Sequence, residues 1–147
     1  MIYTEMTKKA LCLCFEAHKE QKDKSGMPYV FHPFHVAEQM TDEITTTTAL
    51  LHDVVEDTQY TFGDLQKMGF PDEVIDALRL LTHDKSVPYA DYIETIRQNP
   101  VASAVKLADL CHNSDTTRYD VIDEAAVRRL EKYYDAIQRL TGEKTES

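Results

Sequence analysis

An imidazole and three carboxylates crowd one short stretch of the chain, Leu50-Leu51-His52-Asp53-Val54-Val55-Glu56-Asp57-Thr58. On a helix, Glu56 lies four residues after His52 and three after Asp53, and Asp57 lies four after Asp53, so these side chains share a face. Carboxylates packed that closely repel one another and raise one another's pKa values unless a cation intervenes. Such a face could hold a metal ion and move a proton. The ordinary alternative is a polar helix end with solvated acids.

Two other segments offer partners. Phe31-His32-Pro33-Phe34-His35 sets two histidines three apart at a predicted helix start, although a histidine flanked by aromatics is more often a packed core residue than a ligand. Val105-Lys106-Leu107-Ala108-Asp109-Leu110-Cys111-His112-Asn113 puts an acid inside an apolar helix, where an unpaired carboxylate is very costly. The partner of Asp109 is Lys106, His112 or a metal ion, and spacing leaves the salt bridge and the metal equally open.

The elements that must position these groups read as helices. Only four glycines are present, and no stretch alternates apolar with polar long enough for a sheet. Predicted helices run from Thr4 to Gln21, His32 to Met40, Asp42 to Asp57, Thr61 to Gly69, Pro71 through Leu81, Pro88 to Asn99, Pro100 to Asn113, and from an Asp123 cap to Gly142. Pro33 fits a first helical turn, where a missing N–H costs little. Thr61-Phe62-Gly63-Asp64 has the form of a capping box. The Thr45-Thr46-Thr47-Thr48 run has poor helix propensity, so burial must hold that helix together. The last helix carries a predicted apolar stripe of Leu130, Tyr133, Tyr134, Ile137 and Leu140. The expectation is one all-α domain over residues 1–142, a bundle of about seven or eight helices, with a disordered tail at 143–147.

Composition narrows the function classes. The 147 residues suit a single domain with a real core, and the 42% hydrophobic and 29% charged content excludes wholesale disorder. The net charge of −10 argues against nucleic-acid binding, which needs a basic face. Residues 38–91 alone carry twelve acids against three bases. No apolar run approaches a membrane span, and the start, Met1-Ile2-Tyr3-Thr4-Glu5, does not read as a signal peptide. Cys12, Cys14 and Cys111 have no zinc-like spacing and read as buried thiols of a cytoplasmic protein. Nothing in the spacing fixes an oligomeric state.

Taken together, His32, then His52-Asp53, then Asp109 resembles the H…HD…D signature of HD-domain metal phosphohydrolases. The match narrows further. Lys24-Ser25-Gly26-Met27-Pro28-Tyr29-Val30-Phe31-His32-Pro33 resembles the K-S-G-x-P-Y-x-x-H-P of RelA/SpoT-type alarmone hydrolase domains. Ala49 to Thr58 resembles their A-L-L-H-D-x-V-E-D-T, and Val105 to Asn113 their V-K-L-A-D-x-x-H-N. The likeness covers residues 5–119 and is strongest to the stand-alone small alarmone hydrolases.

The resemblance implies an HD-domain fold with metal ligands at His32, His52, Asp53 and Asp109, and a metal that in the family is typically Mn²⁺. Mixed imidazole and carboxylate donors suit several divalent transition metals and do not themselves choose. It implies that Glu56 and Asp57 orient or deprotonate the attacking water, and that Lys24, Ser25 and Asn113 contact the nucleotide. The implied reaction is hydrolysis of the 3′-pyrophosphate of guanosine 3′,5′-bis(pyrophosphate), a small-molecule substrate, with release of pyrophosphate. His18, His35, His83 and His112 are expected to pack or hydrogen-bond, and Lys85, in the His83–Pro88 loop, is a candidate phosphate contact.

Two positions depart from the family. Asp23 stands where an arginine usually precedes K-S-G, and Asp115 stands where another often follows H-N. The first arginine would lie against the guanine base, where a flat guanidinium can stack and a carboxylate cannot. These changes motivate an alternative, an HD-domain phosphohydrolase acting on another nucleotide or phosphoester. A non-catalytic nucleotide-binding module is a third reading, against which the Glu56-Asp57 pair speaks.

Overall fold

The computed structural model describes residues 1–142, so the expected tail at 143–147 lies outside the described residues. The helices are α1 (Glu5–His18), α2 (Phe31–Glu38), α3 (Glu43–Leu51), α4 (Val54–Asp57), α5 (Phe62–Lys67), α6 (Asp72–Leu81), α7 (Tyr89–Arg97), α8 (Pro100–Asn113) and α9 (Glu124–Thr141), with a 3-10 turn at Thr116–Arg118. Among the described residues there is no strand, only an isolated bridge between Lys22 and Pro28. The all-α reading holds. Among these residues no helix is long and apolar enough to cross a membrane.

Polar side chains set the helix starts. Thr4 and Thr61 form capping boxes with Thr7 and Asp64, and Asp42, Asn99 and Asp123 accept from the backbone N–H groups of Thr45, Ala102 and Ala126. Pro100 sits at the first turn of α8. Gly142 closes α9 in the left-handed region, φ 78°.

Helix α3 forms the middle of the bundle, packed by α1, α2, α6 and α8. Every residue from Thr45 to Leu51 is buried. That burial explains how four consecutive threonines stay helical against their propensity, with Thr48 Oγ1 donating to the Ile44 carbonyl at 2.8 Å. Helix α8 lies against α2, α3, α6, α7 and α9. The three helices that carry the predicted ligands therefore meet in the core.

Several expectations are corrected. The single helix predicted from Asp42 to Asp57 is broken at His52-Asp53. The His52 N–H turns back to the Ala49 carbonyl at 3.5 Å, Asp53 leaves helical geometry at φ −106°, ψ 1°, and α4 restarts with Asp57 N–H on the Asp53 carbonyl at 2.9 Å. Of the three thiols only Cys14 is buried; Cys12 and Cys111 are exposed. Tyr134 is 50% exposed rather than part of the α9 stripe, because one step of about 100° carries it off the face that Tyr133 occupies.

Candidate active site

His32 is in the first turn of α2, His52 and Asp53 are at the break after α3, and Asp109 is on the inner face of α8. The ligand-capable atoms of His32, His52 and Asp109 all lie within 4.8 Å of one another. The three residues are only 5%, 5% and 6% exposed. Asp53 joins them: its Oδ2 is 3.1 Å from His52 Nε2 and 4.0 Å from His32 Nε2.

The donor chemistry fits a cation. His52 Nδ1–H donates to the Ala49 carbonyl at 2.6 Å, a partner that can only accept. In the neutral ring Nε2 therefore carries a lone pair, and that atom is buried with no hydrogen-bond partner. It faces Asp53 Oδ2 at 3.1 Å and Asp109 Oδ1 at 3.6 Å. Three electron-rich atoms turned toward one another need a proton or a metal between them. Burial alone would disfavour the His52 imidazolium, yet the two carboxylates outweigh it and raise the pKa well above the ordinary histidine value. Burial likewise works against ionised Asp53 and Asp109. His52 nevertheless draws Asp53 down to about 2, and Lys106 with the two histidines holds Asp109 well below the usual range.

Neighbours fix each of these groups. Tyr29 Oη donates to Asp53 Oδ2 in a short hydrogen bond. Asp109 accepts from Lys106 Nζ at 3.0 Å and Asn113 Nδ2 at 3.1 Å, and its Oδ1 lies 2.8 Å from His32 Nε2. Lys106 is therefore a partner of Asp109, while His112 reaches it only through His32, Nδ1 to Nδ1 at 2.7 Å. His35 stacks on the outer side of His112 with ring centroids 4.0 Å apart. His18 hydrogen-bonds Gln21 at 2.8 Å and packs its ring at a tilt against Tyr29, and His83 bonds the Val87 carbonyl at 2.9 Å.

Glu56 and Asp57 are exposed on α4, beside this cluster. Partial burial and the Asp53 charge push both carboxyl pKa values above their ordinary range, and Glu56 is raised further by Asp57. A carboxylate with a raised pKa is a better proton acceptor near neutrality. The helix break does not separate them from Asp53, because α4 begins directly after it.

Outward of the cluster opens a cavity of about 810 Å³, lined by His32, Tyr29, Lys24, Ser25, Asn113 and Arg118 among others. Its size suits a nucleotide. The three predicted substrate contacts thus share one cavity wall with a predicted ligand. Lys85 does not: it is exposed and outside the lining. Its loop instead borders the site where the His83 backbone lies near enough to Glu56 to favour the ionised carboxylate. Tyr29 and Arg118 were not among the predicted site residues. Tyr29 stands inside the K-S-G-x-P-Y match and could have been found there, whereas Arg118 lies beyond all three motifs.

No protein-family model matches the chain. A GTP pyrophosphokinase of Streptomyces coelicolor is 40% identical over 115 residues, covering 69% of this chain, which spans only 14% of that protein's length. The Danio rerio protein named guanosine-3′,5′-bis(diphosphate) 3′-pyrophosphohydrolase MESH1 is 33% identical over 133 residues, covering 82% of this chain and 73% of that one. The chain belongs to the MESH1 family. A solved structure of a metazoan orthologue of SpoT, described as hydrolysing ppGpp, superposes with a TM-score of 0.73 at 28% identity over 97% of this chain and 86% of that one.

In this MESH1-family chain, both carboxylates at Asp23 and Asp115 are engaged by the protein itself. Asp23 Oδ1 accepts from the Ser25 and Met27 N–H groups at 2.9 and 3.0 Å, and its Oδ2 is 3.7 Å from Arg118 Nη2. Asp115 Oδ1 accepts from Thr117 N and Oγ1 at 3.1 and 2.5 Å, capping the 3-10 turn. Asp23 is paired with Arg118, and Asp115 lies outside the lining of the cavity of this MESH1-family member.

Proposed function

We propose that this MESH1-family chain is a metal-dependent hydrolase that adds water across the 3′-pyrophosphate ester of guanosine 3′,5′-bis(pyrophosphate), releasing pyrophosphate and leaving GDP. The observation that carries this reading is the buried His32, His52 and Asp109 cluster, with the lone-pair side of His52 Nε2 turned toward two carboxylates. The alternative substrate classes rested on Asp23 and Asp115, whose carboxylates are taken up by loop and turn contacts.

His32, His52, Asp53 and Asp109 are the proposed ligands of one divalent cation, with Mn²⁺ the expected metal. When bound, the cation supplies Lewis acidity to a phosphate oxygen and to the attacking water. Tyr29 and Lys106 hold the ligand carboxylates in place. Glu56, with Asp57 beside it, takes the proton from the water at its carboxylate. Lys24, Ser25 and Asn113 contact the nucleotide from the cavity wall. Three thiols outside any disulfide suit a reducing cytoplasm.

The test is a substrate panel. Metal-reloaded protein is given guanosine 3′,5′-bis(pyrophosphate), GTP, GDP and p-nitrophenyl phosphate. Preferential turnover of the first supports the proposal, and turnover of the others without it contradicts the proposal.

A further inference from the structure

Arg118 is held at the wall of the cavity. It ends the 3-10 turn Thr116–Arg118, and three separate contacts fix it there. Its Nη1 donates to the His112 carbonyl at 2.7 Å, its Nη2 lies 3.7 Å from Asp23 Oδ2, and its own carbonyl accepts from Ser25 Oγ at 2.9 Å. The side chain is 28% exposed and lines the cavity that also contains Lys24, Arg129, Tyr119 and Tyr133.

We propose that Arg118 is the base-holding residue of this cavity, stacking its guanidinium on the flat guanine ring, with Asp23 and Asp115 as its positioning residues. This rests on the nucleotide reading given above. A hydrogen bond to a guanidinium lies in its plane, so an arginine tied at one edge by the His112 carbonyl, with Asp23 as a longer-range ion-pair partner, keeps its faces for stacking. The same ties make it a poorer phosphate clamp, because Nη1 is already engaged by the His112 carbonyl and the nearby Asp23 offsets the charge. Lys24 and Arg129 supply other cations in the same lining.

The two acids that interrupt the family pattern then share one purpose. Asp115 caps the turn that carries Arg118, through Thr117 N at 3.1 Å. Asp23 ties the 22–28 loop together through Ser25 N and Met27 N and meets the guanidinium with its second oxygen.

The experiment measures kcat and KM for guanosine 3′,5′-bis(pyrophosphate) on the Mn²⁺-loaded full chain, and the Kd of GDP on metal-free protein by calorimetry. Arg118→Ala should raise both KM and the GDP Kd by about tenfold, with the loss falling on KM rather than kcat. Arg118→Lys should not restore either, because it keeps the charge and loses the plane. Asp23→Asn keeps the loop-capping oxygen and should raise the Kd by about threefold through a loosened arginine. An unchanged KM and Kd in Arg118→Ala, or full restoration by lysine, overturns the proposal while wild-type turnover leaves the functional reading standing. A wild-type chain that neither binds GDP nor turns over the substrate overturns both.

Discussion

His112 Nδ1 sits 2.7 Å from His32 Nδ1, with the two rings nearly parallel at an interplanar angle of 7°. Two like nitrogens at that distance require one to donate and the other to accept. Burial and the nearby Arg118 hold the His112 pKa down at about 3, which favours its neutral ring. A neutral His112 accepting at Nδ1 makes His32 donate there, so that His32 Nε2 can offer a lone pair to a cation once the proton it shares with Asp109 Oδ1 at 2.8 Å is released.

His112→Phe keeps a ring to stack on His35 and removes the acceptor. The expected result is a fall of about 10–100-fold in metal affinity, measured by competition with a chelating dye, with helix content unchanged. Unchanged affinity would show that His112 does not set the His32 tautomer.

Lys106 and Asp109 form a buried pair, Nζ to Oδ2 at 3.0 Å. Burial disfavours the ammonium, but Asp109 raises the Lys106 pKa well above the usual lysine value. Lys106→Met leaves a buried carboxylate without its cation and should destabilise the metal-free protein by about 3–5 kcal/mol in urea denaturation. A bound divalent cation restores positive charge beside Asp109, so the loss should be smaller with metal present. Equal losses in both conditions would contradict a shared role for Asp109 as ion-pair partner and metal ligand.

Glu56 acts as a base only when ionised, and its pKa is raised by burial, Asp53 and Asp57. Activity should therefore climb as pH rises through that elevated pKa and be lost as pH falls below it. Glu56→Gln should lower kcat by about 10²–10⁴-fold and remove that acid limb from the pH profile. A profile in Glu56→Gln that keeps the same limb would assign the limb, and the base, to another group.

Much of the fold was legible because helix boundaries are local chemistry. The Thr61 box, the Asn99-Pro100 start and the Asp123 cap each act through side chains within three residues. The break at His52-Asp53 was not legible, since apolar periodicity runs straight through it. It depends on the His52 ring binding the Ala49 carbonyl while its other nitrogen faces α8, a tertiary relation. His32, His52, Asp53 and Asp109 could be read as a set from their motifs, and they converge because α2, α3 and α8 pack together. Arg118 could not, because its partner Asp23 is far away in sequence. The negative charges at positions 23 and 115 looked hostile to a nucleotide until the groups they bind were seen.

The central claim is that this cluster cleaves a pyrophosphate intact from the 3′ position. Metal-stripped, Mn²⁺-reloaded protein incubated with guanosine 3′,5′-bis(pyrophosphate) and resolved by anion-exchange chromatography tests it, with Asp53→Asn alongside. GDP and pyrophosphate in equal amounts from the wild type, and no turnover from Asp53→Asn, is the predicted result. Release of orthophosphate in place of pyrophosphate, or turnover that survives in Asp53→Asn, would contradict it.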